Sequence, residues 1–221
     1  HLGNREVKNI LILFKKKLKK NGKLLTEDPV LINKQNPIAR FLIKNDRGKN
    51  VALKPVTEEF IDDLKRVLSP GAVLVVPDSY LSEPRSRWRG ISSTLVLPQN
   101  VNEVSVIVSL ANAQNIPIIP YGGGTGLVGG QIQDKGPSGI LLSLERMNKI
   151  RSLNSDENVI TVEAGVILSN LRDAAEEAQR IFPLSLASEG TAQIGGNLAT
   201  NAGGVNVLRY GSTRNLCLGL E

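Results

Sequence analysis

The sequence predicts a mixed α+β fold, and three observations carry that expectation. From residue 57 onward, short aliphatic runs alternate with segments of helical spacing. Aromatic residues make up 4% of the 221-residue chain against 41% hydrophobic residues overall, so the core must be built from Val, Ile and Leu. Two loops poor in side chains, residues 120–130 and 187–204, punctuate the pattern.

The elements follow in order. Thr57 can cap a helix whose apolar positions Phe60, Ile61, Leu64, Val67 and Leu68 recur at helical spacing, with Pro70 and Gly71 stopping it. Residues 73–76 read as a short buried strand and residues 93–97 as another, closed by Pro98. Asn100 with Glu103 three residues on marks a helix start, and Val104, Ile107, Val108 and Ala111 give that helix its apolar face. Residues 116–119 form the next expected strand, which makes a β-α-β crossover and delivers the chain into the first glycine loop. Residues 140–144 and 159–163 read as further strands. Ala164 and Gly165 then turn the chain into a helix bearing Leu168, Leu171, Ala174, Ala175 and Ala178, with Pro183 as its stop. Residues 1–56 lack a convincing period, and no internal repeat is present.

Charge is unevenly distributed. The net charge is +6, yet residues 1–50 hold 13 basic and 4 acidic residues while the remainder holds 14 and 17. The basic excess therefore belongs to the N-terminal segment, above all to the lysines of residues 15–20, and reads as a solvated tail or targeting remnant. A nucleic-acid-binding domain would spread its basic residues through the fold, so nucleic acid is not an expected partner. No apolar run reaches the length of a membrane span. The single cysteine, Cys217, excludes an internal disulfide.

Six of the nine residues from 122 to 130 are glycine. So much glycine is costly in backbone entropy for a mere turn, and what it permits is close approach of main-chain N–H groups to an anion such as phosphate. Gly124, Gly126 and Gly129 fit the dinucleotide fingerprint G-x-G-x-x-G, but that fingerprint must open a helix. Here residues 131–139 are short, polar and broken by Gly and Pro, so the Rossmann reading fails. A Walker-type loop fails too, because no Gly-Lys-Ser/Thr follows. The second loop adds Gly190, Gly195, Gly196, Gly203 and Gly204 with interleaved Asn and Thr, so the pair points to a large nucleotide cofactor gripped from two sides.

The stretch Pro120-Tyr121-Gly122-Gly123-Gly124-Thr125-Gly126-Leu127-Val128-Gly129-Gly130 resembles the pyrophosphate loop of the vanillyl-alcohol-oxidase (PCMH-type) FAD flavoproteins. Residues 188–204, with Leu208-Arg209-Tyr210-Gly211 and residues 218–221, resemble their second FAD loop. Within that group the chain is similar to the D-2-hydroxyacid dehydrogenases, whose members act on D-2-hydroxyglutarate, D-lactate or glycolate. The resemblance covers residues from about 57 to 221 and implies a PCMH-type FAD-binding fold of two α+β subdomains with FAD between them. On that basis residues 1–56 are a basic segment, poorly structured or variable, residues 57–145 the first subdomain, and residues 146–221 a truncated second one. The chain reads as a fragment whose C-terminal part is missing.

The resemblance also assigns roles. Backbone N–H groups of Gly122, Gly123, Gly124, Thr125, Gly126 and Leu127 face the FAD pyrophosphate, the Thr125 hydroxyl adds a donor, and Gly129 and Gly130 let the chain leave the loop. Ser188, Gly190, Ile194, Gly195, Gly196, Asn197, Thr200 and Asn201 line the flavin and its ribityl-adenosine portion, although Asn197 and Asn201 could equally cap turns. Arg209 reads as a support for backbone carbonyls, Trp88 as a packed side chain, and Glu163 and Glu189 as solvated or capping carboxylates. FAD is expected to be held noncovalently, since His1 is the only histidine and Cys217 reads as a buried structural thiol.

The implied reaction oxidises a small D-2-hydroxyacid to the 2-oxoacid by hydride transfer to flavin N5. Electrons would pass to an electron-transfer flavoprotein, a cytochrome or a quinone. The catalytic base, the carboxylate clamp and a metal site are expected beyond residue 221. The compartment would be mitochondrial in a eukaryote and cytoplasmic in a bacterium. The alternatives are a UDP-sugar reductase of the same fold and a non-catalytic nucleotide-binding fragment.

Overall fold

A computed structural model describes residues 10–13 and 52–220. Among them lie two four-stranded sheets and five α-helices.

The first half is built around β2 (Val73–Val75), β3 (Thr94–Val96), β4 (Ile118–Tyr121) and β5 (Ile140–Ser143), ordered β2-β3-β5-β4. β2 pairs antiparallel with β3, whereas β3 and β4 both run parallel to β5. Helix α1 (Glu58–Val67) is capped as its sequence indicates, with Thr57 Oγ1 accepting from Phe60 N at 3.2 Å. Helix α2 (Val101–Gln114) is capped by Asn100 Oδ1, which accepts from Glu103 N at 3.0 Å. Phe60, Leu64, Ile107 and Ala111 from these helices pack with Val96, Ile140 and Leu142 on one sheet face. On the opposite face Leu95, Leu97, Ile119 and Leu141 pack with Val76, Tyr80 and Leu81. β5 is buried at all four positions because both faces of the sheet are covered.

Three expectations shift here. Val67 is exposed rather than buried, at the end of α1. The strand expected over 73–76 is an outer strand, with Leu74 and Val75 turned to solvent. β4 begins two residues later than expected because Asn115 (φ 59°) and Ile116 complete the end of α2, Ile116 N donating to Ala111 O at 2.9 Å.

The second half holds the antiparallel sheet β6-β7-β1-β8, formed by β6 (Ile150–Asn154), β7 (Val159–Val162), β1 (Ile10–Leu13) and β8 (Cys217–Leu220). The sequence pattern shows neither β1 nor β6. Helix α3 (Leu168–Glu177) packs Leu168, Leu171 and Ala175 against Ile160, Val162, Phe182, Leu184 and Ile194. It ends well before Pro183: Gln179 takes a left-handed conformation (φ 58°) and Arg180 N donates back to Ala175 O at 2.8 Å. The stretch expected as one Gly/Asn-rich loop contains helix α4 (Ile194–Ala199), and α5 (Val207–Tyr210) follows it.

The halves meet through backbone. A β-carbon on Gly165 in the second half would lie 2.0 Å from Leu144 O in the first. Only glycine permits so close a crossing.

Candidate functional site

The parallel strands β4 and β5 end side by side, Tyr121 in register with Ser143, and β4 runs straight into the glycine loop. No helix follows the loop; residues 122–139 are turns and bends until β5 begins. None of the backbone N–H groups from residue 123 to 130 donates a hydrogen bond within the described chain. Two loop carbonyls are occupied from behind: Gln131 Nε2 donates to Gly126 O at 2.9 Å and to Gly124 O at 3.4 Å. Gln131 is itself buried. A loop with its carbonyls tied back and its N–H groups unengaged is a ready-made anion cradle.

The second loop comes to this cradle. A β-carbon on Gly123 would stand 1.9 Å from Thr191 O and 3.0 Å from Ala192 Cα, so the two main chains touch there. Gly122 faces Gly196, whose Cα would be 3.7 Å from a Gly122 β-carbon. Gly190 and Gly196 themselves look into open space, with nothing within 4 Å of an added β-carbon. Residues 164–168 brace this segment from below: Gly195 N donates to Ala164 O at 2.8 Å, Ile194 N to Val166 O at 2.9 Å and Leu168 N to Ala192 O at 2.9 Å.

The expected site residues distribute unevenly. Gly122, Gly123, Gly124, Thr125 and Gly126 gather at the cradle, and the Thr125 hydroxyl makes no hydrogen bond within the described chain. Leu127 and Val128 are exposed on its rim. Gly129 (φ 74°) abuts the indole of Trp88, which is 39% exposed and so lies over the loop rather than inside a core. Trp88, Val128, Gly129, Ile132 and Asp134 line a small cavity of about 220 Å³.

In the second loop the Ile194 side chain is fully buried in the core under α3, so its contribution to any ligand surface is backbone. Asn197 is 5% exposed, and its Nδ2 has no hydrogen-bond partner. A buried amide donor without a partner costs about 1–3 kcal/mol, and a ligand acceptor would relieve it. Ser188 supplies its carbonyl to Thr191 N and Ala192 N. Thr200 Oγ1 donates to Gly196 O at 2.9 Å. Asn201 (φ 51°) turns its Oδ1 onto Ser212 Oγ at 2.7 Å and Arg214 N at 3.1 Å, an internal cap.

Several side chains differ from their expected roles. Arg214, not Arg209, supports the loop carbonyls: its Nε donates to Leu198 O at 3.1 Å and Nη2 to Ala199 O at 2.9 Å. Arg209 stacks on Tyr210, 5.2 Å from the ring centroid. Glu163 is buried rather than solvated; it accepts from Arg151 Nη2 at 2.7 Å and from Lys149 N at 2.9 Å, pinning β6 to β7. Glu189 pairs with Arg172. Cys217 is half-buried, and burial pushes its thiol pKa up. Among the described residues, no group of three or more His, Cys, Asp or Glu side chains is placed to hold a metal ion, and no helix is long and apolar enough to cross a membrane.

Sequence reasoning missed Gln131, whose role depends on a fold-back that no local pattern announces. It also missed Tyr80, Tyr121 and Glu145 beneath the loop, where Tyr80 Oη donates to Glu145 Oε2 at 2.6 Å.

Comparison with known proteins gives the same region. A family model described as an FAD binding domain matches residues 92–221. A D-2-hydroxyglutarate dehydrogenase of Xanthomonas citri is 43% identical over 135 residues, 61% of this chain and 28% of its own. The mitochondrial D-2-hydroxyglutarate dehydrogenase of Bos taurus is 40% identical over 172 residues, 75% of this chain and 30% of its own. The chain thus spans under a third of these relatives. Among solved structures, alkyldihydroxyacetonephosphate synthase matches with TM-score 0.63 and 23% identity over 73% of this chain and 32% of its own. p-Cresol methylhydroxylase matches with TM-score 0.55 and 25% identity over 69% of this chain and 32% of its own.

Proposed function

This chain belongs to the FAD-binding domain family, and from that premise we propose that it is the flavin-holding portion of a dehydrogenase that oxidises a D-2-hydroxyacid, D-2-hydroxyglutarate foremost, to the 2-oxoacid. The observation that carries the reading is the cradle itself: unengaged N–H groups over residues 123–130, with the second glycine loop in backbone contact at Gly123. The residues present fit FAD. The open faces of Gly190 and Gly196 leave room for a flat ligand, and the unpartnered Nδ2 of Asn197 offers a donor.

In this reading the main chain of residues 122–127 and the Thr125 hydroxyl hold the pyrophosphate. Gly190, Gly195, Gly196 and Asn197 line the flavin and ribityl side, with Ser188, Ile194, Thr200 and Asn201 shaping the loop that presents them. Gln131 keeps the carbonyls of Gly124 and Gly126 turned away from the anion. FAD, when bound, supplies the acceptor for the hydride that leaves the substrate's C2. The chain's contribution is orientation: two braced loops exclude water from one side of the cofactor and fix its position. The base that takes the hydroxyl proton, the clamp for the carboxylate and any metal ion are assigned to the part of the relatives that this chain does not span. Residues 57–145 and 146–221 act as the two subdomains between which the cofactor lies. Electrons pass to an electron-transfer flavoprotein, a cytochrome or a quinone, in the mitochondrion of a eukaryote or the cytoplasm of a bacterium.

The test is the visible spectrum of the full-length protein. Flavin bands that bleach on anaerobic addition of D-2-hydroxyglutarate or D-lactate bear out the reading. Bleaching by NADPH alone would move it to the reductase class, and a colourless protein that takes up no FAD would overturn it.

A further inference from the structure

Four side chains gather beneath the glycine loop. The rings of Tyr80 and Tyr121 lie 4.7 Å apart between centroids, with 36° between their planes. The Tyr80 hydroxyl is committed to Glu145 Oε2 at 2.6 Å, and Ser143 Oγ donates to the same oxygen at 3.2 Å. Tyr121 differs: its ring is held by β4 and by Tyr80, yet its hydroxyl makes no hydrogen bond within the described chain. That hydroxyl lies directly under the turn at Gly124, where φ is 70° and an added β-carbon would stand 2.4 Å from the phenolic oxygen.

Two nearby acceptor atoms, the Gly124 carbonyl and Glu145 Oε2, are already engaged. The carbonyl of Gly124 receives Gln131 Nε2, and the Glu145 carboxylate receives Tyr80 and Ser143. In the loop whose Gly124 this hydroxyl abuts, the N–H groups of residues 123–130 are equally unengaged. A partly buried O–H beside a loop of unengaged N–H groups is satisfied, together with them, by an anion. Burial, together with the charge of Glu145, raises the Tyr121 pKa, which keeps the phenol protonated and able to donate.

We propose that the Tyr121 hydroxyl donates a hydrogen bond to the diphosphate of FAD, making Tyr121 a side-chain phosphate ligand in a loop that otherwise binds mainly through its backbone. Tyr80 is the positioning residue: its ring fixes that of Tyr121, while its own hydroxyl is taken up by Glu145. The inference rests on the FAD reading given above.

The test compares wild type with Tyr121→Phe in the full-length protein, stripped of flavin and titrated with FAD by fluorescence quenching. Loss of one charge-assisted hydrogen bond should raise the FAD Kd about ten-fold or more. The melting midpoint of the apo-protein should stay at the wild-type value, and the 31P resonances of bound FAD should shift while its visible spectrum does not. Equal Kd values with unchanged 31P resonances would overturn the proposal. Should Tyr121→Phe lose its fold, the pair Tyr121→His and Tyr121→Leu carries the same comparison. His retains a ring N–H and should bind FAD about ten-fold more tightly than Leu; equal affinities would overturn the proposal. A wild-type protein that takes up no FAD would refute the function itself, a result separate from any difference between variants.

Discussion

Two alanine substitutions, one in each glycine loop, should act in opposite directions on the empty protein and in the same direction on its cofactor. At Gly123 a methyl group would meet Thr191 O at 1.9 Å and Thr191 C at 2.8 Å, both backbone atoms. An ordinary carbon–oxygen contact is about 3.3 Å, so Gly123→Ala requires the loops to part by roughly 1.4 Å. Overpacking of that kind costs about 1–3 kcal/mol, which for a domain of this size lowers the melting midpoint by about 2–12 °C. At Gly196 the added methyl meets nothing within 4 Å, and the residue lies inside α4. Alanine there gains up to about 1 kcal/mol of helix propensity, so the apo midpoint should rise by about 2–4 °C. That methyl nevertheless stands in the open face opposite Gly122, and both variants should lose FAD affinity, about ten-fold for each 1.4 kcal/mol. Scanning calorimetry of the flavin-free protein and fluorescence titration with FAD read the two effects separately. If Gly196→Ala binds FAD as tightly as wild type, the open face is not a ligand surface. If Gly123→Ala leaves the apo midpoint unchanged, the loops do not meet as described.

Further expectations concern the supports. Gln131→Leu frees the carbonyls of Gly124 and Gly126 and should cost about 1–3 kcal/mol, read as a lower urea midpoint; FAD should bind more weakly. Arg151→Ala leaves the buried Glu163 without its ion-pair partner and should lower the urea midpoint by an amount corresponding to about 1–3 kcal/mol. For Glu83, burial pushes the carboxyl pKa up, but the backbone N–H groups of Arg87 (2.6 Å) and Arg85 (2.8 Å) outweigh this and hold it below the ordinary value. Its stabilising contribution is therefore complete above the ordinary glutamate pKa of about 4.3 and lost as pH falls through the lower folded value. Urea midpoints from pH 6 to pH 3 should converge for wild type and Glu83→Gln at the acid end; parallel curves would count against this role.

What could be read from residue order follows a physical line. Thr57 and Asn100 announce their helices because a cap is a local hydrogen bond within three residues. The glycine loop is legible as a candidate anion cradle because glycine, lacking a side chain, lets consecutive N–H groups turn toward one point at close range. β6 stays hidden because its side chains are largely exposed and polar, and it is held by its hairpin partner and the Arg151–Glu163 pair rather than by its own pattern. Helix α4 stays hidden because Gly195 and Gly196 argue against helix; Gly195 is required because a β-carbon would strike Ala164 at 2.8 Å. The contact of Tyr80 with Glu145 spans 65 residues, and no reading of neighbours reaches that far.

The order β2-β3-β5-β4 leaves the strand that feeds the glycine loop as the last in its sheet among the described residues. A strand in that position exposes a row of main-chain groups on which another molecule's strand can assemble. Pro120 lies within β4 on the side away from β5 and has no N–H to give, whereas Pro117 turns its carbonyl to β5, accepting from Ile140 N at 3.0 Å. Pro120 thereby interrupts the ladder that a second copy would need. It lets a bare, glycine-rich rim stay open to a soluble ligand without also inviting edge-to-edge pairing.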